Sequence, residues 1–163
     1  MLVFDFNPDS DLSDWVIVDD VVMGGRSDGN FFINKNGHAQ FEGKISLENN
    51  GGFSSLRYRF AEKEINGFQK IIIRLKGDGK RYQFRTKANL SHRHSYISYF
   101  ETTGDWQDVE ITLVDLYPSF RGRQLMIPNF PVEQLVEVAF LIGNKKAETF
   151  CLEIDSIVLK SGE

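Results

Sequence analysis

Ala39-Gln40-Phe41-Glu42-Gly43-Lys44-Ile45-Ser46-Leu47 sorts its side chains by parity. Ala39, Phe41, Gly43, Ile45 and Leu47 fall on one side of an extended chain, and Gln40, Glu42, Lys44 and Ser46 on the other. Successive strand residues point to opposite faces, so the stretch reads as a strand with one buried and one wet face. The same parity recurs outward along the chain. Leu56, Tyr58 and Phe60 alternate with Ser55, Arg57 and Arg59, and Ile71, Ile73 and Leu75 oppose Arg74 and Lys76. Tyr82 and Phe84 oppose Gln83 and Arg85; Val109, Ile111 and Leu113 oppose Glu110 and Thr112. Phe150, Leu152 and Ile154 continue the pattern, but the next apolar residues fall at Ile157 and Leu159, which predicts a β-bulge near Asp155 and Ser156.

Turn chemistry divides these runs. Ser27-Asp28-Gly29-Asn30, Asn34-Lys35-Asn36-Gly37, Asn49-Asn50-Gly51-Gly52 and Asn66-Gly67 carry residues that tolerate positive φ. Gly77-Asp78-Gly79 predicts a hairpin joining 69–76 to 80–87. Roughly ten short strands with frequent turns point to an all-β fold, a jelly-roll β-sandwich. The best helix signal is a single turn opened by Pro131 and running to Leu135. Segments 87–96 and 115–132 have no clean period and read as long loops. At 163 residues, 41% hydrophobic and 26% charged, the chain reads as one globular domain spanning 1–163.

Charge and cysteine content narrow the function. The formal net charge is −4, and the basic clusters Arg81–Arg85–Lys87 and Arg121–Arg123 are short, which argues against a nucleic-acid partner. Cys151 is alone, so no intrachain disulfide forms; this suits a reducing compartment and a cytoplasmic location. Asp5 interrupts the apolar residues of an amino terminus that has no basic region, so no signal peptide is expected there. No apolar run approaches the roughly 20 residues of a membrane-spanning helix, and membrane insertion is not expected.

No catalytic constellation emerges. His92 and His94 share a strand face, but the acid and glycine that would complete a cupin-type metal site are missing. There is no Gly-x-Ser-x-Gly elbow, and Cys151 sits between Phe150 and Leu152 as an inert thiol. Glu153-Ile154-Asp155 begins the acidic strand of jelly-roll glucanases, but Val158 occupies the position of its third acid. The reading is a non-enzyme without cofactor or assigned metal ligands; a structural calcium ion near Asp155 or Asp5 is the minor alternative.

Two segments are locally unusual. One runs Trp15-Val16-Ile17-Val18-Asp19-Asp20-Val21-Val22-Met23-Gly24-Gly25-Arg26-Ser27, and the other Gly51-Gly52-Phe53-Ser54-Ser55-Leu56-Arg57. Each holds a Gly-Gly pair suited to positive φ or close backbone approach. A bland reading makes the glycines tight turns, Asp20 the cap of its own turn and Arg57 a cross-strand ion-pair member. The functional reading brings the two Gly-Gly segments together as a recognition surface. Its candidate residues are Asp19, Asp20, Met23, Gly24, Gly25, Arg26, Ser27, Gly52, Phe53, Ser55, Arg57 and Arg121.

At these residues the chain resembles the complex I intermediate-associated protein family, whose mitochondrial members are assembly factors for respiratory NADH dehydrogenase. The resemblance runs from Trp15 through Asp20–Ser27, Phe41-Glu42-Gly43, Gly51–Arg57, Trp106 and Pro118-Ser119-Phe120-Arg121-Gly122 to Phe150–Ile157, in the family's order over nearly the whole chain. It implies a galactose-binding-domain-like jelly roll, no established enzyme activity and a role in protein assembly. No transit segment of the mitochondrial members' kind is read in this sequence, and the expectation is a compact bacterial-type version. Asp19 stands where many relatives carry Asn, so a role that needs that amide does not transfer.

Two binding readings follow. In the first, a protein partner, in the manner of an assembly chaperone, docks on Asp19–Ser27 and Gly51–Arg57, with Arg57 donating charge-assisted hydrogen bonds and Met23 giving adaptable apolar contact. In the second, a glycan or small ligand stacks on aromatic platforms drawn from Tyr96, Tyr99, Trp106 and Tyr117.

Overall fold

The computed structural model describes residues 1–20 and 24–161. Thirteen strands run β1 Leu2–Asp5, β2 Trp15–Asp19, β3 Asp28–Ile33, β4 Ala39–Ile45, β5 Ser54–Glu64, β6 Phe68–Lys76, β7 Arg81–Lys87, β8 Ser95–Glu101, β9 Trp106–Thr112, β10 Tyr117–Phe120, β11 Arg123–Gln124, β12 Gln134–Ile142 and β13 Glu148–Ser161. They form two antiparallel sheets. One has the order β3-β4-β13-β6-β9 with β1 added alongside β13; the other is β11-β10-β8-β7-β12-β5-β2. The sheets pack as a jelly-roll β-sandwich. The parity quoted above supplies the interior: Phe41, Ile45, Leu56, Ile71, Ile73, Leu75, Phe84, Phe140, Leu152, Ile154 and Ile157 are all solvent-excluded. Trp15 joins this core, stacked on Tyr58 at 4.6 Å between ring centroids.

The predicted bulge is present. In the β13–β6 pairing the register shifts between Ile154 and Ser156, which returns Ile157 and Leu159 to the core face.

Four expectations are corrected. Gly77-Asp78-Gly79 is not a hairpin turn, because β6 belongs to the six-stranded sheet and β7 to the seven-stranded one. The segment instead carries the chain from one layer to the other. Asp78 anchors the crossing by accepting from Cys151 N at 2.8 Å and Tyr82 Oη at 3.0 Å. Gly77 lies so close to Thr102 that no β-carbon fits. The 115–132 segment contains β10 and β11 rather than being all loop. Pro131 opens no helical turn, since Val132 takes φ 55° and β12 begins at Gln134. Leu47 lies beyond the end of β4, exposed, although it keeps the parity of Ile45.

Candidate functional site

The two Gly-Gly segments meet, and they meet on a carboxylate. Asp20 has no solvent exposure. Its Oδ1 accepts from Ser27 N at 2.9 Å, and its Oδ2 accepts from Ser27 Oγ at 2.5 Å, Gly52 N at 2.6 Å and Phe53 N at 3.2 Å. Burial pushes the Asp20 pKa up, but the hydrogen bonds from Ser27, Gly52 and Phe53 outweigh it and hold the carboxyl below its ordinary value. Gly24 and Gly52 supply positive φ at 89° and 141°, while Gly25 and Gly51 supply the close approach. A β-carbon on Gly51 would lie 2.5 Å from Asp20 Oδ2, and one on Gly25 would overlap the same carboxyl group. Asp19 forms a second clamp, accepting from Gly29 N at 2.8 Å and from Ser54 Oγ.

This geometry sorts the candidate residues. Asp19, Asp20 and Ser27 spend their polar atoms inside the fold, so as side chains that touch a ligand they are corrected to positioning residues. Gly24, Gly25 and Arg26 belong to the same corner and do not line the cleft described next. Met23 lies outside the described residues. Gly52, Phe53, Ser55, Arg57 and Arg121 line the cleft. Asp20 therefore holds the Gly52–Phe53 wall in place.

The cleft, about 550 Å³, lies on the face of the seven-stranded sheet opposite the core. Residues of one parity on each strand build its floor, and cross-strand register aligns them. Val16, Arg57, Ala139, Arg85, Ile97 and Tyr117 form one row. Arg59, Glu137 and Lys87 lie in the row beside it. Glu137 is only 2% exposed, yet it sits on a central strand among cations. Its Oε1 is 2.7 Å from Arg59 Nε and 3.3 Å from Arg57 Nε. Arg85 donates to Gln83 Oε1 at 2.7 Å and has no carboxylate partner among the described residues. Burial lowers the Arg85 pKa, with Glu137 partly restoring it. Lys87 is also lowered by burial; Glu137 partly offsets this, while Arg59, Arg57 and Arg85 lower it further. Its ammonium donates to the His92 carbonyl at 2.8 Å, which ties the 88–94 loop to the cleft rim.

Parity puts Gln83 and Arg85 on the polar side of their strand, and it does not distinguish a solvated face from the floor of a cleft. One signal was available: Glu137 interrupts the apolar run Leu135-Val136-Val138-Ala139, where a carboxylate needs a partner.

The aromatic candidates separate too. Tyr96 is buried. Trp106 belongs to the other sheet, with His38 against its ring at 4.6 Å. Tyr99 and Tyr117 both line the cleft, and Tyr99 carries the Arg81 guanidinium 3.6 Å from its ring centroid. His92 and His94 stack on each other at 4.8 Å, and among the described residues no group of three His, Cys, Asp or Glu side chains is arranged to hold a metal. The Cys151 thiol is pushed up by burial and then by Glu42, Glu153 and Asp78, the opposite of an activated nucleophile. No helix of the described residues is long and apolar enough to cross a membrane.

Comparison with known proteins agrees with this architecture. A family model described as complex I intermediate-associated protein 30 matches residues 4–154. The mitochondrial complex I intermediate-associated protein 30 of Mus musculus is 25% identical over 179 aligned residues, which cover 96% of this chain and 55% of that protein. This chain thus spans about half the length of that relative. Among solved structures, a family 11 carbohydrate-binding module of a cellulosomal cellulase from Clostridium thermocellum superposes with a TM-score of 0.72 at 13% identity, covering 98% of this chain and 94% of that one. A family 11 module from the same organism, in complex with a β-1,3-1,4-mixed-linked tetrasaccharide, gives 0.69 at 14% identity, covering 97% and 95%. At such identities the likeness establishes the fold, a galactose-binding-domain-like jelly roll.

Proposed function

The chain belongs to the complex I intermediate-associated protein 30 family, and on that premise we propose that it is a non-catalytic binding module that assists assembly of a respiratory NADH dehydrogenase by holding a protein segment in its cleft. One observation carries the reading. The face of the seven-stranded sheet opposite the core carries an open cleft, and the charged residues of its floor come from three adjacent strands, β5, β12 and β7, held in register. The relative named for complex I intermediates is a mitochondrial protein of nearly twice this length, so the partner here is part of the proposal.

The glycan reading draws on the fold likeness and on Tyr99 and Tyr117, which both line the cleft. It is weakened by the loss of Tyr96 and Trp106 as platforms and by the cation already seated on Tyr99.

Ala139 lies at the centre of the cleft floor between Arg57 and Arg85, which makes it the place to block. Ala139→Trp fills the cleft from its solvent side. In detergent extracts of the native host, the wild-type chain is expected to retain NADH dehydrogenase subunits, and the variant, melting at the same temperature, to lose them. Failure of the wild type to retain such subunits overturns the proposal; so does equal retention by both.

A further inference from the structure

The cleft reverses the charge of the molecule that carries it. The whole chain has 23 acidic residues against 19 Lys and Arg. Five cations line the cleft, Arg57, Arg85, Lys87, Arg93 and Arg121, against the single carboxylate of Glu137. Crowding like charges on one face costs stability unless a counter-charge arrives. The core lies beneath this face and takes nothing from its cations.

The rows say where the counter-charge belongs. In one, Arg59, Glu137 and Lys87 alternate cation, anion, cation across β5, β12 and β7. In the next, Ala139 replaces the anion, and a methyl group lies between Arg57 and Arg85. One strand, β12, lies between these arginines, so two inter-strand spacings, about 9.5 Å, separate their backbones. Both side chains are long enough to converge on an anion above Ala139. Arg57 has only the more distant share of Glu137, at 3.3 Å, and Arg85 has no carboxylate partner among the described residues. The planar guanidinium is suited to bidentate grip on a carboxylate.

From this, and resting on the protein-binding reading above, we propose that the cleft recognises an extended acidic peptide segment, with one carboxylate seated over Ala139 between Arg57 and Arg85. Along the strands the cations repeat at every second residue, Arg57 to Arg59 and Arg85 to Lys87, a spacing of about 6.5–7 Å. The row of Arg59 and Lys87 already has its anion in Glu137, so one carboxylate, over Ala139, is what the floor lacks, and an extended peptide with acidic residues on one side presents such a carboxylate in any register. Arg81 on Tyr99 places a cation where a sugar platform would be wanted.

The test is titration calorimetry on the full chain with a ten-residue peptide of alternating Glu and Thr, its Gln-and-Thr counterpart, polygalacturonate and a neutral mixed-linkage glucan. The Glu peptide is expected to bind at least tenfold tighter than the Gln peptide, and to weaken as salt rises from 50 to 200 mM, on the order of severalfold. Arg85→Gln should cost about tenfold with an unchanged melting temperature. Ala139→Glu, which supplies the missing carboxylate within the chain, should abolish peptide binding while leaving the melting temperature equal or raised; Ala139→Gln should do neither to the same degree. Equal binding of the Glu and Gln peptides overturns the proposal. Tighter binding of polygalacturonate overturns it in favour of an acidic glycan, and tighter binding of the neutral glucan overturns the charge argument itself. If no acidic peptide binds while NADH dehydrogenase subunits are still retained through the open cleft, the ligand class fails and the protein-binding reading stands.

Discussion

At the Asp20 corner one carboxylate receives four hydrogen bonds, all from the chain itself. The cleft is lined by five cations and one carboxylate, Glu137, which is held mainly by a sixth cation beside them, Arg59. Asp20 is wholly buried, whereas the cleft cations range from half-buried Arg57, Arg85 and Lys87 to exposed Arg93 and Arg121, and only the first place is electrically complete. A closed set of donors around an anion stabilises a fold, because every group taken out of water has found a partner. A cationic surplus on an open face does not, and it is the kind of imbalance that a ligand corrects. The comparison separates charges that build the molecule from charges available to a partner. It also links them, since Gly52 and Phe53 donate to Asp20 and line the cleft.

Breaking the closed site should have the largest consequence. Asp20→Asn presents an amide group to backbone donors and removes an ionised acceptor, which is expected to cost about 3 kcal/mol in chemical denaturation at pH 7. The folded pKa of Asp20 is depressed, so its contribution is present above the ordinary carboxyl range and is lost as the pH falls through the folded value. The stability gap between wild type and variant should therefore close below about pH 4. A gap that persists at low pH would show that packing, not charge, holds the corner.

A smaller effect is expected from Gly51→Ala. Its β-carbon would lie 2.5 Å from Asp20 Oδ2, and the overpacking should cost about 2 kcal/mol. Because φ at Gly51 is −73°, strain in the backbone is not involved, and the cost is a direct reading of how tightly the corner closes. An unchanged melting temperature would mean the corner opens freely.

The smallest loss belongs to the half-closed site. Glu137→Gln leaves Arg57 and Arg59 without their shared carboxylate, but both are about one-third to one-half exposed and recover solvation. We expect about 1 kcal/mol of destabilisation, below the cost of breaking a fully buried pair. A loss equal to that of Asp20→Asn would erase the distinction between the two regions.

Much of this was legible in the chain as written. Parity at Ala39–Leu47 and its repeats identified the strands and the core; the phase change after Ile154 located a bulge; and the Gly-Gly pairs at 24–25 and 51–52 marked the corner where two segments meet. These are local signals, carried by neighbours two residues apart or by conformations that glycine alone adopts easily. The direction in which Asp20 points was not legible, because a carboxylate beside a turn reads the same whether it faces solvent or four donors.

Tertiary structure alone decided three matters. It sent β6 and β7 into different sheets, although the glycines between them suit a hairpin equally well. It turned Asp19, Asp20 and Ser27 inward. It also placed Arg57, Ala139 and Arg85 in one row, from strands far apart in sequence. Alternation along a strand is set by the backbone of that strand and is visible in its residues. Which strands lie side by side, and hence which charges face one another, is set by long-range pairing that no single segment encodes.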